Sequence, residues 1–60
     1  PYPYAVVGNA VQVCQHHPLK GVKGVVINRN GDAKLVLQVD LLGGSVAMDV
    51  DITDVEAIPD

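Results

Sequence analysis

The spacing of the apolar residues constrains this chain more than any other feature. From Lys34 to Leu41, Leu35, Leu37 and Val39 alternate with Val36, Gln38 and Asp40; further on, Val46, Met48 and Val50 alternate with Ala47, Asp49 and Asp51. A period of two puts one set on each face of a strand, so each segment offers one face to a core. We assign Leu35, Leu37 and Val39 to that face; Val36 is ambiguous. Nowhere does an i, i+3, i+4 apolar pattern persist for three turns with capping residues, and no α-helix is predicted.

Turn chemistry divides the rest. Ala10 to Gln15 alternates Val11 and Val13 with Gln12 and Cys14 and reads as a first strand, broken by His16-His17-Pro18-Leu19-Lys20-Gly21. A second strand, from about Gly24 to Arg29, carries the β-branched run Val25-Val26-Ile27. Asn30-Gly31 follows, and Asn-Gly between apolar runs predicts a type I′ hairpin because both residues tolerate positive φ. Leu41-Leu42-Gly43-Gly44 makes the next turn, into a fourth strand. Asp51-Ile52-Thr53-Asp54 suits a single 3₁₀ turn with Ile52 plugging the end of the fold, and Val55 to Ile58 forms a short last strand that Pro59 ends. Five short strands with tight turns suggest a small antiparallel barrel, since closure removes exposed edges. Pro1-Tyr2-Pro3-Tyr4 reads as an extended lead-in. Residues 1–7 are taken as a linker end and 8–60 as the domain.

Size and charge narrow the function. A chain of 60 residues buries only about 60% of the surface its unfolded form exposes, which allows one small core. An enclosed pocket of roughly 300 Å³ would compete for the same side chains, so an enzyme is not expected. A single cysteine cannot form an intrachain disulfide, no apolar run approaches the roughly 20 residues of a membrane span, and no signal-peptide pattern opens the chain. The expectation is a soluble cytoplasmic protein with no membrane association. The net charge is −3, with only Lys20, Lys23, Arg29 and Lys34 as cations. Nucleic-acid binding usually leaves a basic stripe, so strong direct binding is not expected.

Few residues suggest chemistry. Cys14 and His16 would share one face of a continuing strand, but a closed zinc site needs four ligands and the chain holds only Cys14, His16 and His17 of the usual nitrogen and sulfur donors. No metal or cofactor is expected. Cys14 reads as a small apolar filler. Asp49 and Asp51 read as a solvated acidic face, and Gly43-Gly44 as a turn, since a phosphate loop would need a following helix and Lys-Ser/Thr. Leu41 and Leu42 stand side by side at a strand end and cannot both face the core. Either one faces solvent, or both cap the barrel.

Several stretches, read together, carry a resemblance. Val7-Gly8-Asn9-Ala10-Val11-Gln12-Val13 followed by Pro18-Leu19-Lys20-Gly21-Val22-Lys23-Gly24-Val25-Val26 resembles a KOW motif. Leu35 through Gly43, Ser45 through Val50 and Val55 through Ile58 are similar to the remainder of the C-terminal domain of NusG-family transcription elongation factors, and of its specialised paralogues in particular. The likeness spans about fifty residues and lies in the whole pattern. It implies a five-stranded SH3-like barrel acting in transcription elongation or antitermination. Such a domain docks onto NusE, which is also a ribosomal protein, or onto the Rho helicase, while an N-terminal domain outside this chain binds RNA polymerase. The family's docking loops fall on Leu19, Val22, Leu41, Leu42, Gly43 and Gly44. Three positions depart from the pattern: His17 stands where the motif has glycine, Leu19 and Val22 are aliphatic where the housekeeping factor has aromatics, and Gly44 replaces an arginine. Two other roles stay open. One is a KOW RNA-binding domain of ribosomal-protein type, with Lys20, Lys23 and Arg29 on phosphates; the other is a self-associating structural barrel.

Overall fold

The computed structural model describes residues 4–59, so the lead-in at Pro1-Tyr2-Pro3 lies outside the described residues. Five strands, β1 (Ala10–Val13), β2 (Lys23–Asn30), β3 (Lys34–Leu41), β4 (Gly44–Asp51) and β5 (Val55–Ala57), form one antiparallel sheet in the order β4-β3-β2-β1-β5. A 3₁₀ turn, Ile52–Asp54, joins β4 to β5, and no α-helix occurs among the described residues.

That turn dictates the shape of the sheet. β4 and β5 lie at opposite edges, and in a flat sheet four inter-strand gaps of about 4.8 Å would hold them roughly 19 Å apart. Three residues rising about 2 Å each cannot cover that distance. The sheet therefore curls until its edges approach at this turn, with its apolar side chains on the concave face. Val11, Val13, Val26, Leu35, Leu37, Val39, Val50 and Val55, drawn from all five strands, are buried in one cluster, with Ile52 sealing the end between the two edges. The core face expected for β3 is the face observed.

Register explains the details. Val13 pairs with Val55 and Val11 with Ala57. On the opposite face, Gln12 lies across from Glu56 and donates to its carboxylate (3.2 Å). Gly24 faces Val11 on the inner side. A Cβ there would lie 3.0 Å from the Gln38 carbonyl oxygen and 3.1 Å from Val39 Cγ2. Gly24→Ala is expected to cost about 1–3 kcal/mol through overpacking, seen as a lower urea midpoint with an unchanged denaturant slope.

Two expectations change. Strand β1 ends at Val13 instead of Gln15, because the Cys14 N–H donates to the Asp54 carbonyl (2.7 Å) and its own carbonyl accepts from His17 N–H (3.2 Å), which starts the loop early. The type I′ hairpin at Asn30-Gly31 is not formed. Asn30 pairs with Lys34 across a three-residue loop, Gly31-Asp32-Ala33, and only Gly31 (φ +69°) takes positive φ there. The difference follows from a bulge: between Val26↔Leu37 and Asn28↔Val36, β2 carries one residue more than β3. Downstream of it Arg29 lies opposite buried Leu35, on the inner side, and its Nη1 donates to the Ala5 carbonyl (3.2 Å). Ala5 is buried in the core, and Tyr4 packs against it. Residues 4 and 5, within the stretch taken as linker, are thus part of the packed unit. The segment is held further by Gly8 N–H to Val26 carbonyl (2.8 Å) and Val26 N–H to Asn9 carbonyl (2.9 Å).

Candidate docking surface

The two loops expected to bind a partner lie at one end of the sheet. Val13 N–H donates to the Val22 carbonyl (2.8 Å), Gly21 N–H to the Val13 carbonyl (3.0 Å), and Val22 N–H to the Leu19 carbonyl (3.2 Å), so the β1–β2 loop closes into a tight turn carrying Leu19 and Val22. Extending the β2–β3 register from Val25↔Gln38 brings Lys23 level with Asp40 and Val22 level with Leu41. Beyond Val25 the ladder between β2 and β3 stops, while β3 and β4 stay paired to their tip at Leu41↔Gly44. The distal β3–β4 hairpin therefore leaves the core as a two-stranded arm. At its tip, Leu42 and Gly43 form a two-residue turn in which Gly43 takes φ +86°, a conformation side chains disfavour.

The arm extends the inner apolar face into solvent. Leu41 continues the Leu35, Leu37, Val39 row yet is 57% exposed, and Val46, opposite buried Val39, is 47% exposed. Leu42 at the tip is fully exposed, at 106%. Leu19 is 46% exposed and Val22 half-buried against the core. Both adjacent leucines are thus exposed, and neither caps the core. Val46, read from the sequence as an inward core position, belongs to the exposed strip: its parity is inward, but among the described residues nothing beyond β3 covers that end of β4. Its place two residues after Gly43-Gly44 is the sequence signal for this, since a residue so close to a hairpin tip seldom reaches the core.

The cations are dispersed. Lys20 and Lys23 lie near this end, whereas Arg29 is six residues along β2 from Lys23, roughly 20 Å at 3.3 Å per residue, and is engaged with Ala5. Lys34 is hydrogen-bonded to Asp51, which holds its ammonium group above its ordinary pKa. On the outer side, where β2 and β3 part, a groove of about 300 Å³ is lined by residues including Lys23, Gly24, Gln38, Asp40 and Ile58. One cation and one carboxylate flank it.

The cysteine–histidine cluster takes a different form from the one expected. Cys14 and His16 sit in the loop after β1, not on one face of a strand. His16 Nε2 donates to Asp54 Oδ1 (3.0 Å), and His17 Nδ1 accepts from Leu19 N–H (3.0 Å), which shapes the loop despite the glycine missing before Pro18. Burial first, and then the Glu56 carboxylate, push the Cys14 thiol above its ordinary pKa, which makes it a poor nucleophile at neutral pH. No group of three or more His, Cys, Asp or Glu placed to hold a metal occurs among the described residues. None of their helices is long and apolar enough to cross a membrane.

Asp54 couples this loop to pH. Its hydrogen bond from His16 comes first, helped by a backbone hydrogen bond at Asp51 and the nearby histidines, and together they hold its carboxyl below the ordinary 3.8. Folding thus favours the ionised form. The stabilisation is present above about pH 4 and lost as pH falls through the lowered folded value. Asp54→Asn is expected to be less stable than the parent at pH 6, and the gap should shrink below pH 4 in urea titrations at stepped pH. A gap that stays constant down to pH 2 would contradict this assignment.

No protein-family model, no curated protein and no solved structure matches this chain.

Proposed function

We propose that this chain is a protein-docking module with the SH3-like barrel fold of a KOW domain, acting in a NusG-like transcription factor. The observation that carries the docking role is the apolar strip of Leu41, Leu42 and Val46 on a projecting hairpin, level with the Leu19 to Val22 turn. The curl imposed by the three-residue link between the edge strands supports the barrel. So does burial of residues from all five strands in a single cluster. In this reading the strip contacts NusE or Rho, with RNA polymerase held by a separate N-terminal domain. Aliphatic side chains supply the contact where aromatic ones would do so in the housekeeping factor, so the partner pocket must be filled by leucine.

The test is titration of isotope-labelled domain with NusE, and separately with Rho, while amide resonances are recorded. Shifts should concentrate at Leu19 to Val22 and Leu41 to Val46; shifts confined to other surfaces would reject the site. The RNA-binding alternative predicts affinity for RNA that falls steeply with salt, because each neutralised phosphate adds to the slope. The scattered cations and net charge of −3 weigh against it.

A further inference from the structure

β4 is an edge strand of unusual openness. Among the described residues it pairs with β3 on one side only, through eight successive pairs from Lys34↔Asp51 to Leu41↔Gly44 with no register shift. Proteins usually blunt such edges with proline, lysine, a bulge or shortness. The opposite edge has these devices, since β5 is three residues long, carries Glu56 and is followed by Pro59. β4 is eight residues long with no proline, lysine or bulge, and its only charges, Asp49 and Asp51, stand at its C-terminal end, so Gly44 to Met48 is uncharged.

We propose that two copies of this chain pair through their β4 edges, antiparallel, about a twofold axis at Ala47. A twofold contact requires that residue i meet j and j meet i, so the strand must complement itself. With Ala47 on the axis, Ser45 of each copy faces Asp49 of the other, hydroxyl against carboxylate. Val46, exposed on the inner face, meets half-buried Met48 of the other copy. Each Asp51 falls beyond Gly44, beside Gly43 of the other copy, and is already bonded to its own Lys34. No acid faces an acid. Registers shifted toward Asp51 are worse: Met48 on the axis sets the two Asp49 side chains diagonal to each other, Asp49 on the axis sets them face to face, and Val50 on the axis opposes Asp49 to Asp51. Like charges opposed across a ladder are destabilising. Val46 on the axis also keeps the acids apart but pairs only Gly44 to Met48, whereas Ala47 on the axis pairs Gly44 to Val50. Charge and ladder length together favour the Ala47 register, which covers Val46. The pairing does not depend on the docking reading, because it requires only the β4 edge.

Sedimentation equilibrium from micromolar to millimolar protein tests it. The mass is expected to rise from 6.3 kDa toward twice that value, more readily at higher salt, which screens the repulsion of two acidic copies. Ser45→Lys sets an ammonium group against Asp49 twice and should tighten association several-fold. Ala47→Asp sets two carboxylates face to face on the axis and should keep the protein monomeric. Thr53→Lys and Thr53→Asp add the same charges at an exposed position outside β4 and should leave association nearly unchanged. Far-UV circular dichroism reports that each variant is folded, and Ser45→Lys alone decides the register should Ala47→Asp not fold. A wild-type mass fixed at 6.3 kDa up to millimolar concentration overturns the proposal. So does a Ser45→Lys variant that associates no better than Thr53→Lys.

Discussion

Leu37→Ala is expected to remove about 2–5 kcal/mol of stability, through lost burial and the cavity left behind. Leu37 is fully buried, lies between Val26 on β2 and Met48 on β4, and stands at the middle of β3, which pairs with both long strands. A domain of this length holds roughly 3–9 kcal/mol in total, at about 0.05–0.15 kcal/mol per residue. The variant is therefore close to its unfolding midpoint without any denaturant. The core has little capacity to absorb the loss, because its buried side chains are all aliphatic, with neither Phe nor Trp to swing into a void. Thermal unfolding followed by far-UV circular dichroism is the measurement, with Ile27→Ala as comparison. Ile27 is exposed at the bulge on the outer face, so its truncation should cost a few tenths of a kcal/mol. A Leu37→Ala loss below about 1 kcal/mol would mean that the core assigned here is not the one that holds the fold.

The buried set was legible in the sequence wherever two strands pair on both sides of a residue. Leu35, Leu37 and Val39 follow from period two alone, and so do Val11 and Val13, because β3 and β1 lie inside the sheet order and their inner faces are covered as far as these residues. Ile52 was legible as a plug because a compact polar turn with one isoleucine has only one place to put it. The same parity rule failed at Val46. Period two says which face a residue points to, but not whether anything covers that face, and at the distal end of β4 no described residue beyond β3 does. The Asn30-Gly31 turn failed for another reason. Local turn preference was correct that the chain reverses there, but the extra residue at Ile27 shifted β2 against β3 and left three residues, not two, to close the loop. Long-range pairing set the loop length. Of the proposed docking surface, Leu19, Val22, Leu41 and Leu42 came from resemblance together with the impossibility of burying two adjacent leucines. Their alignment at one end of the sheet could not be read from the chain, since it depends on the β2–β3 register.

Leu42→Asp is expected to weaken partner binding by about 30-fold or more while leaving the fold intact. The expectation follows from where the residue stands: a side chain wholly exposed at a hairpin tip contributes nothing to the core, so replacing it should alter stability by no more than about 0.5 kcal/mol. An apolar anchor at the centre of an interface typically costs at least about 2 kcal/mol when lost, and a carboxylate forced into an apolar pocket adds a desolvation penalty. At about 1.4 kcal/mol per decade, 2 kcal/mol alone corresponds to roughly 30-fold in affinity. Leu41→Asp should act in the same direction with a modest loss of stability besides, because Leu41 ends the inner row and is only partly exposed. Ile27→Asp supplies the control: an equal charge change on an exposed apolar residue, but about five residues of β3 away from the tip, some 16 Å at 3.3 Å per residue. Isothermal titration against NusE, with urea unfolding of each variant, separates the outcomes. Loss of binding in Leu42→Asp with Ile27→Asp unaffected places the contact on the hairpin. Equal losses in both would show that charge, and not this strip, governs docking. Unfolding of Leu42→Asp would show that the tip packs against the domain, and the arm could not then present a free apolar surface to any partner.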